Sequence, residues 1–558
     1  MTLAQQPGGD LLSGLFAHAK FLEAAHRLLR GKDAFLPVID AARGYFLAAL
    51  AEYLAENGQG PLIVVTAEAR EAYRIAADAL AFAPKRRSRN GPTFLPVEVL
   101  PPWESLPFEH ISPSANAMGT RMRVLWRLRS GDRSLRLVVA SARAALQRTD
   151  PAGIPKEPLL LAPGREVDLS KAADTLVQWG YERTYQVEGR GEFAIRGGIL
   201  DIWPAGAEFV IRTDFFGDLI EEIKTVSVST QRTIDVIEEE VAVFPARELR
   251  PTDEVRDLAR RLLASHPDNA AVWEKFAEGI YFPGMEGWLA WVVPRPATLF
   301  ELLEGGSIVA LMDPAEIRAR AEAHVAEEED LASALMSTWD TGQEHASASS
   351  DPSAEAPRLY ARPDEAFERF RLPMLAVTSA PQALEDVEPL FEPWPRAFKT
   401  SDVAAKSGAY SRKGWTVAVA AGSTANARRV VESFADEEVS VGIAATDDLS
   451  ELIRQPGLLA GTFSYSEGFV FPDGQLALVT EAELAPSRSK VSELKRAPAR
   501  WERATRYATA KVSPGFSRAL RAVPEESGRG RKTTNEEFLA DLEPGDYVVH
   551  NYHGIGVY

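Results

Sequence analysis

The residues best placed to do chemistry follow the apolar run Ala34–Ile39, where the chain reads Asp40-Ala41-Ala42-Arg43-Gly44-Tyr45-Phe46. A strand followed by GxxxxGK[ST] would cradle phosphates. Its backbone N–H groups point at the anion, its lysine reaches the outer oxygens and its hydroxyl holds Mg2+. Arg43 and Gly44 occupy this position, but the lysine and the hydroxyl are missing. Further along, Val309-Ala310-Leu311-Met312-Asp313-Pro314 offers one carboxylate where an Asp-Glu pair would hold the metal and orient water. Pro314 takes the glutamate's place. Arg43, Gly44 and Asp313 therefore mark a nucleotide site expected not to function. Gly31-Lys32 is no substitute: His26 stands at the motif's first glycine, Asp33 replaces the hydroxyl residue, and the pair precedes the strand. Ala421-Gly422-Ser423-Thr424 also lacks a lysine, and a small-residue turn with a Ser/Thr helix cap accounts for it.

A second kind of chemistry is recognition. In Arg196-Gly197-Gly198 the glycines suit a tight turn and a close backbone approach before a strand. Arginine is rarely buried unpaired. Arg196 is thus either half of an internal Arg–Asp pair or part of a surface that meets another protein, where a guanidinium fork gives geometric specificity. Phe215, Phe216 and Trp203 are expected in the core, since aromatics on short strands normally form the inner face. The absence of cysteine excludes disulfides, thiolate zinc sites and a cysteine nucleophile, and fits a reducing cytoplasm. The eight histidines include no HExxH, so no metal site is expected.

The elements that would position these residues form several domains, as 558 residues require. Residues 1–150 alternate strands with helices, the pattern of a mainly parallel sheet covered on both faces. Residues 151–246 form a small sheet-rich module of short extended runs punctuated by Gly189, Gly191, Gly197, Pro204, Gly206 and Gly217. Residues 247–338 return to helices, with a strand at Ser307–Met312, and complete the first domain. A flexible linker is expected at 339–357, rich in Ser, Ala and acidic residues. A second, small α/β domain follows at 358–485, with strands at Met374–Thr378, Trp415–Ala420 and Val439–Ala444. Residues 486–540 read as a basic linker; Pro486–Thr534 holds thirteen Lys or Arg against four Glu. Residues 541–558 offer one strand, Tyr547–His550, and read as the truncated start of a β-rich domain, since a lone strand cannot bury its faces. The fold class is α/β multidomain: a degenerate nucleotide-binding-like parallel domain with an inserted small sheet-rich α+β domain, then a second α/β domain. A net charge of −18 argues against a protein that wraps nucleic acid as a whole. No signal peptide and no apolar run of about 18 residues is visible.

Three segments carry a family resemblance. Arg196-Gly197-Gly198-Ile199-Leu200-Asp201-Ile202-Trp203-Pro204, with Arg212-Thr213-Asp214-Phe215-Phe216-Gly217-Asp218 and Thr230-Gln231-Arg232, resembles the module shared by the excinuclease protein UvrB and bacterial transcription-repair coupling factors. Leu100-Pro101-Pro102-Trp103-Glu104-Ser105-Leu106-Pro107, Ser112-Pro113, Arg121 and Gly279-Ile280-Tyr281-Phe282-Pro283-Gly284-Met285-Glu286 look like stretches flanking that module in the coupling factors. Pro544-Gly545-Asp546-Tyr547-Val548-Val549-His550 with His553-Gly554-Ile555-Gly556 is similar to the opening of the family's RNA-polymerase-interacting domain.

The resemblance implies that the module docks on UvrA, the excinuclease protein that both families bind. Arg183 and Arg196 would face that partner, joined by Asp214. Ala194 stands where UvrB has another arginine, so that contact would be lost. It also implies contact with the β subunit of RNA polymerase through the domain that begins near residue 541, and with DNA through motor domains that use ATP and Mg2+ and are absent from this chain. The fragment would bind no cofactor and would not be an enzyme. The rival enzyme reading is a helicase-like UvrB, which needs an intact phosphate loop and an aromatic-rich hairpin; neither is present. A second rival, a plain DNA-binding protein, is disfavoured by the acidic balance.

Overall fold

The computed structural model describes residues 13–83, 92, 94–105, 111–303, 306–339, 357–368, 372–379, 389–395, 399–444, 449, 456–484, 547–550 and 554–557. The linkers expected at 339–357 and 486–540 fall almost wholly outside them.

The fold is α/β and multidomain. Its first sheet has six strands in the order Ala34–Pro37, Met374–Thr378, Ile308–Met312, Leu62–Thr66, Leu137–Ser141, Val97–Leu100. Every neighbouring pair is parallel. Leu62–Thr66 and Leu137–Ser141 are buried along their whole length, as strands covered on both faces should be. The strand Met374–Thr378 departs from the expectation that it opens the second α/β domain: it lies inside the first sheet, between Ala34–Pro37 and Ile308–Met312. A short apolar run reports burial but not the sheet that buries it, which is why the sequence pattern misplaced it.

The second sheet runs Glu392–Pro393, Phe469–Phe471, Leu476–Thr480, Thr416–Ala420, Gly457–Gly461, Gly442–Ile443. Its last four strands are mutually parallel. The helix Arg43–Glu56 lies between the two domains, and this explains its composition. Every residue from Arg43 to Glu52 is buried, because the first sheet covers one side and the second domain the other. Tyr45 packs on Phe469 at 5.6 Å and Phe82 on Tyr465 at 5.5 Å between ring centres. The Tyr465 hydroxyl donates to the Ala41 carbonyl at 2.9 Å, tying the second domain to the turn before the helix.

The inserted module hangs from a two-stranded neck. Its incoming strand Leu159–Leu161 and outgoing strand Val241–Val243 pair antiparallel. Beyond the neck is a six-stranded sheet in the order Thr233–Ile237, Leu219–Val226, Val210–Phe216, Ile199–Ile202, Glu192–Arg196, Glu182–Arg183. One face of it, with Phe193, Leu200, Ile202, Ile211, Ile220 and Ile223, packs with Leu176 and Trp179 into a core of its own.

The flanking stretches fasten this module to the first domain. Glu248, fully buried just after the neck, accepts from Arg121 at 2.7 and 3.2 Å and from the Trp103 indole at 2.8 Å. Glu286, also fully buried, accepts from Arg247 at 2.7 Å and from the Ser112 hydroxyl at 2.6 Å. Gly119, on the helix Ala115–Arg129, meets Ala205 and Gly206 of the module so closely that a Cβ there would lie 2.5 Å from the Ala205 Cβ.

At the far end of the chain, Tyr547–His550 is not a lone strand. It pairs antiparallel with Gly554–Val557, because a three-residue connection is long enough for a hairpin.

Gly119→Ala should force the module and the first domain apart. We expect a loss of about 1–3 kcal/mol in urea unfolding, and faster proteolytic release of the module. Unchanged stability with unchanged cleavage would mean that this contact does not fasten the two parts.

Candidate docking face and the nucleotide position

Where the sequence would place a phosphate loop, the side chain of Arg43 is enclosed by carboxylates. It is 1% exposed although it is charged. Its Nη1 donates to Glu71 Oε1 at 2.7 Å, and its Nη2 to Asp313 Oδ2 at 2.5 Å. The Asp40 carboxylate lies 3.1 Å from the same Nη2. Burial alone would work against the charge, but the three carboxylates outweigh it and hold the guanidinium above its ordinary pKa. Glu71 is pushed up by burial, which Arg43 and Arg74 only partly offset. Asp313 has a left-handed backbone, φ 54°, at the end of its strand, and its second oxygen accepts from the Ser379 amide at 3.2 Å. Gly44 is required for a different reason. A Cβ there would collide with Asp78 on the neighbouring helix, so the residue serves helix packing. Residues 40–46 thus supply no lysine, serine or threonine, and the Asp313 carboxylate is already engaged by Arg43.

The outer face of the module sheet is different. Strand register sets Ala194, Asp201, Arg212 and Lys224 in one row, and Arg196, Ile199, Asp214 and Glu222 in the next. With a side-chain period of two, both rows share the face opposite the apolar core. A bulge at Glu221 keeps Glu222 on that face. Asp201 is the hub of the two rows. It is 2% exposed and accepts from Arg212 Nε at 2.6 Å, Arg212 Nη2 at 2.8 Å and Arg196 Nη2 at 2.6 Å. These hydrogen bonds raise the pKa of Arg212. Beside this cluster, Lys224 donates to Asp214 at 2.6 Å and lies 2.6 Å from Glu222, and those two bonds raise its pKa. Two glycine turns at the same end of the sheet, Gly197 at φ 62° and Gly217 at φ 63°, close the hairpins that hold the rows in register.

The structure brings Arg196 and Asp214 onto one face. Arg196 pairs internally with Asp201, and its side chain stays 39% exposed. Arg183 is exposed on the edge strand, but its register partner is Phe193, one step out of phase with Ala194, which directs it toward the other side of the sheet. Ala194 is buried opposite Asp201. The aromatic residues divide. Phe215 packs against the core, and Trp203 is half-buried with the Arg190 guanidinium 5.1 Å over its ring. Phe216, expected inside, is 74% exposed. It alternates with Arg212 and Asp214 along one strand and so stands on the charged face at its turn. Sequence reasoning missed Asp201, Arg212 and Phe216 as members of this face. The alternation Arg212-Thr213-Asp214-Phe215-Phe216 carried the signal: two charges and an aromatic at period two beside a glycine turn.

The family described as "UvrB interaction domain" matches residues 159–249, the stretch bounded by the neck. Along the whole chain the similarity is to transcription-repair-coupling factors. That of Mycobacterium bovis is 32% identical over 520 residues, 89% of this chain and 38% of the relative. That of Myxococcus xanthus is 31% identical over 326 residues, 53% of this chain and 26% of the relative. That of Bacillus subtilis is 23% identical over 545 residues, 93% of this chain and 41% of the relative. The chain thus spans about two-fifths of the length of the curated relatives it matches most fully.

Removing the buried cation tests the filled nucleotide position. Arg43→Ala leaves three carboxylates facing one another and should cost about 3–5 kcal/mol at neutral pH. Burial already raises the Glu71 carboxyl, and without the guanidinium it rises further above its unfolded value. The stability that Glu71 allows is then present at low pH and lost as pH rises. The deficit against the parent should accordingly shrink between pH 7.5 and pH 5 in urea titrations; a deficit that is constant or grows on acidification would contradict the cage.

Proposed function

We propose that this chain, which belongs to the transcription-repair-coupling factors, recruits the excinuclease protein UvrA and so links a stalled RNA polymerase to nucleotide excision repair. The observation that carries the reading is the necked module at 159–249, matched as a UvrB interaction domain, with its paired arginines, carboxylates and one exposed aromatic on a single face. A polar interface of this kind gains register and on-rate from complementary charge, and Phe216 supplies an aromatic anchor. Arg196 and Asp214 act on that face, and Arg183 acts from the exposed edge strand, on the sheet's other side.

In the same reading the chain itself hydrolyses no ATP and carries neither ATP nor Mg2+. The side chain of Arg43 lies where phosphates would bind, and Asp313 serves as its counter-ion. In this reading the segment that includes the hairpin of Tyr547–His550 and Gly554–Val557 belongs to the contact with the polymerase. A cytoplasmic location accords with a chain that has no cysteine. The rival, a UvrB-like DNA-processing enzyme, requires the phosphate loop that residues 40–45 do not supply.

The test is a titration of the full chain against purified UvrA at low and high salt. The parent should bind. Arg196→Ala should weaken binding by about 2–5 kcal/mol if its partner group is left buried and unpaired, and by much less at a wet rim. Arg183→Ala should weaken it less, given its place on the edge strand. The differences should fade at high salt. Circular dichroism must first match the parent. A folded parent that fails to bind UvrA would refute the recruitment reading, and DNA-stimulated phosphate release by the pure chain would refute the non-enzymatic one.

A further inference from the structure

We infer that Asp201 is a positioning residue of the docking face: it locks Arg196 and Arg212 into one two-guanidinium unit that fits a pair of carboxylates on the partner. The inference rests on the recruitment reading above and adds to it a residue that touches no partner.

The argument starts from cost. A carboxylate 2% exposed is expensive to keep ionised unless its lone pairs are met by strong donors. Asp201 lies on a strand whose neighbours Leu200 and Ile202 point into the apolar core, so its own side chain must emerge on the opposite face. There the register places it directly beside Arg212 and one row from Arg196. Arg212 takes both oxygens as a fork, and Arg196 shares the second oxygen from the other side. Each guanidinium has five N–H donors. Arg212 spends two on Asp201 and Arg196 one, so most remain for an outside acceptor. Two like charges that would otherwise repel are held together by one buried anion, with their planes fixed before any partner arrives. Such preorganisation lowers the ordering cost of binding. The neighbouring Asp214–Lys224–Glu222 group carries the opposite net charge. The complementary surface therefore presents carboxylates to the arginines and a cation beside them.

Asp201→Asn in the full chain separates positioning from simple attraction, because the two predict opposite signs. The substitution keeps the shape and one acceptor but adds a net positive charge to the face. If the face works only by its overall charge, binding to UvrA tightens at low salt. If Asp201 positions the arginines, binding weakens by about tenfold, the scale of one lost charge-assisted hydrogen bond. A purely structural role is excluded by a second background. In the Arg196→Ala, Arg212→Ala double variant, Asp201→Asn should change affinity by less than about twofold, since there is nothing left to position. A further loss there overturns the inference, as does tighter binding of the single variant.

A measurement on the free protein keeps the inference separate from the reading beneath it. With 15N-arginine labelling, the Nε–Hε signal of Arg212 and the Nη–Hη signals of Arg196, assigned through their Ala variants, should be dispersed and slow to exchange in the parent. In Asp201→Asn they should move to the position of solvated arginines. Should the parent fail to bind UvrA, the recruitment reading falls while this result still decides whether Asp201 orders the two side chains. Signals that sit at the solvated position in the parent, or that ignore Asp201→Asn, refute the positioning role.

Discussion

A guanidinium taken out of water must find a counter-charge, and that constraint fixes how the distant parts of this chain meet. Arg43 joins the turn after the first strand to Asp313 at the end of another, 270 residues later. Arg127 and Arg123 bind Glu98 and pin the helix Ala115–Arg129 to the edge strand Val97–Leu100. Arg121 with Glu248, and Arg247 with Glu286, fasten the inserted module to its host. Asp201 does the same on a smaller scale within the module. Breaking any one of these pairs would strand a buried charge, which is far more damaging than losing an exposed pair. The pairs therefore fix relative position where apolar contact alone would permit sliding.

The filled nucleotide position and the buried helix after it are two aspects of one arrangement. A phosphate loop must stay open to solvent and keep its backbone amides free for a ligand. Here the turn at Asp40–Ala42 is covered by Tyr465, its following helix is enclosed by two domains, and its charge is neutralised internally. The turn and helix form a rigid support. The orientation of the module's outer face then follows from the frame behind it.

Much of this could be read from the sequence. The strands at Ala34, Leu62, Val97, Leu137 and Ile308 announce themselves by short β-branched or aliphatic runs between turn residues. The module was legible from Arg196-Gly197-Gly198 and Phe216-Gly217-Asp218, because tight turns require particular residues at particular places. What remained hidden depended on partners remote in sequence. Nothing around Met374 states which sheet it will join. Phe216 has the composition of a core residue and becomes exposed because its strand ends there in a turn. Asp201 is one acidic residue within an apolar run, and only the register of two neighbouring strands reveals that it organises two arginines. The flanking motifs could be seen as a pattern, yet their purpose became clear only when Trp103 and Arg121 met Glu248, and Ser112 met Glu286.

The neck has a consequence of its own. Because Leu159–Leu161 and Val241–Val243 lie side by side, the chain leaves its host and returns to it at almost the same point. The sheet beyond is therefore a cassette: its strands pair with one another, and the chain crosses the boundary only at a narrow stem. A cassette of that form can be carried by any host that offers a matching pair of sockets for Glu248 and Arg247. The module can thus keep its own fold and its own surface while the rest of its host changes.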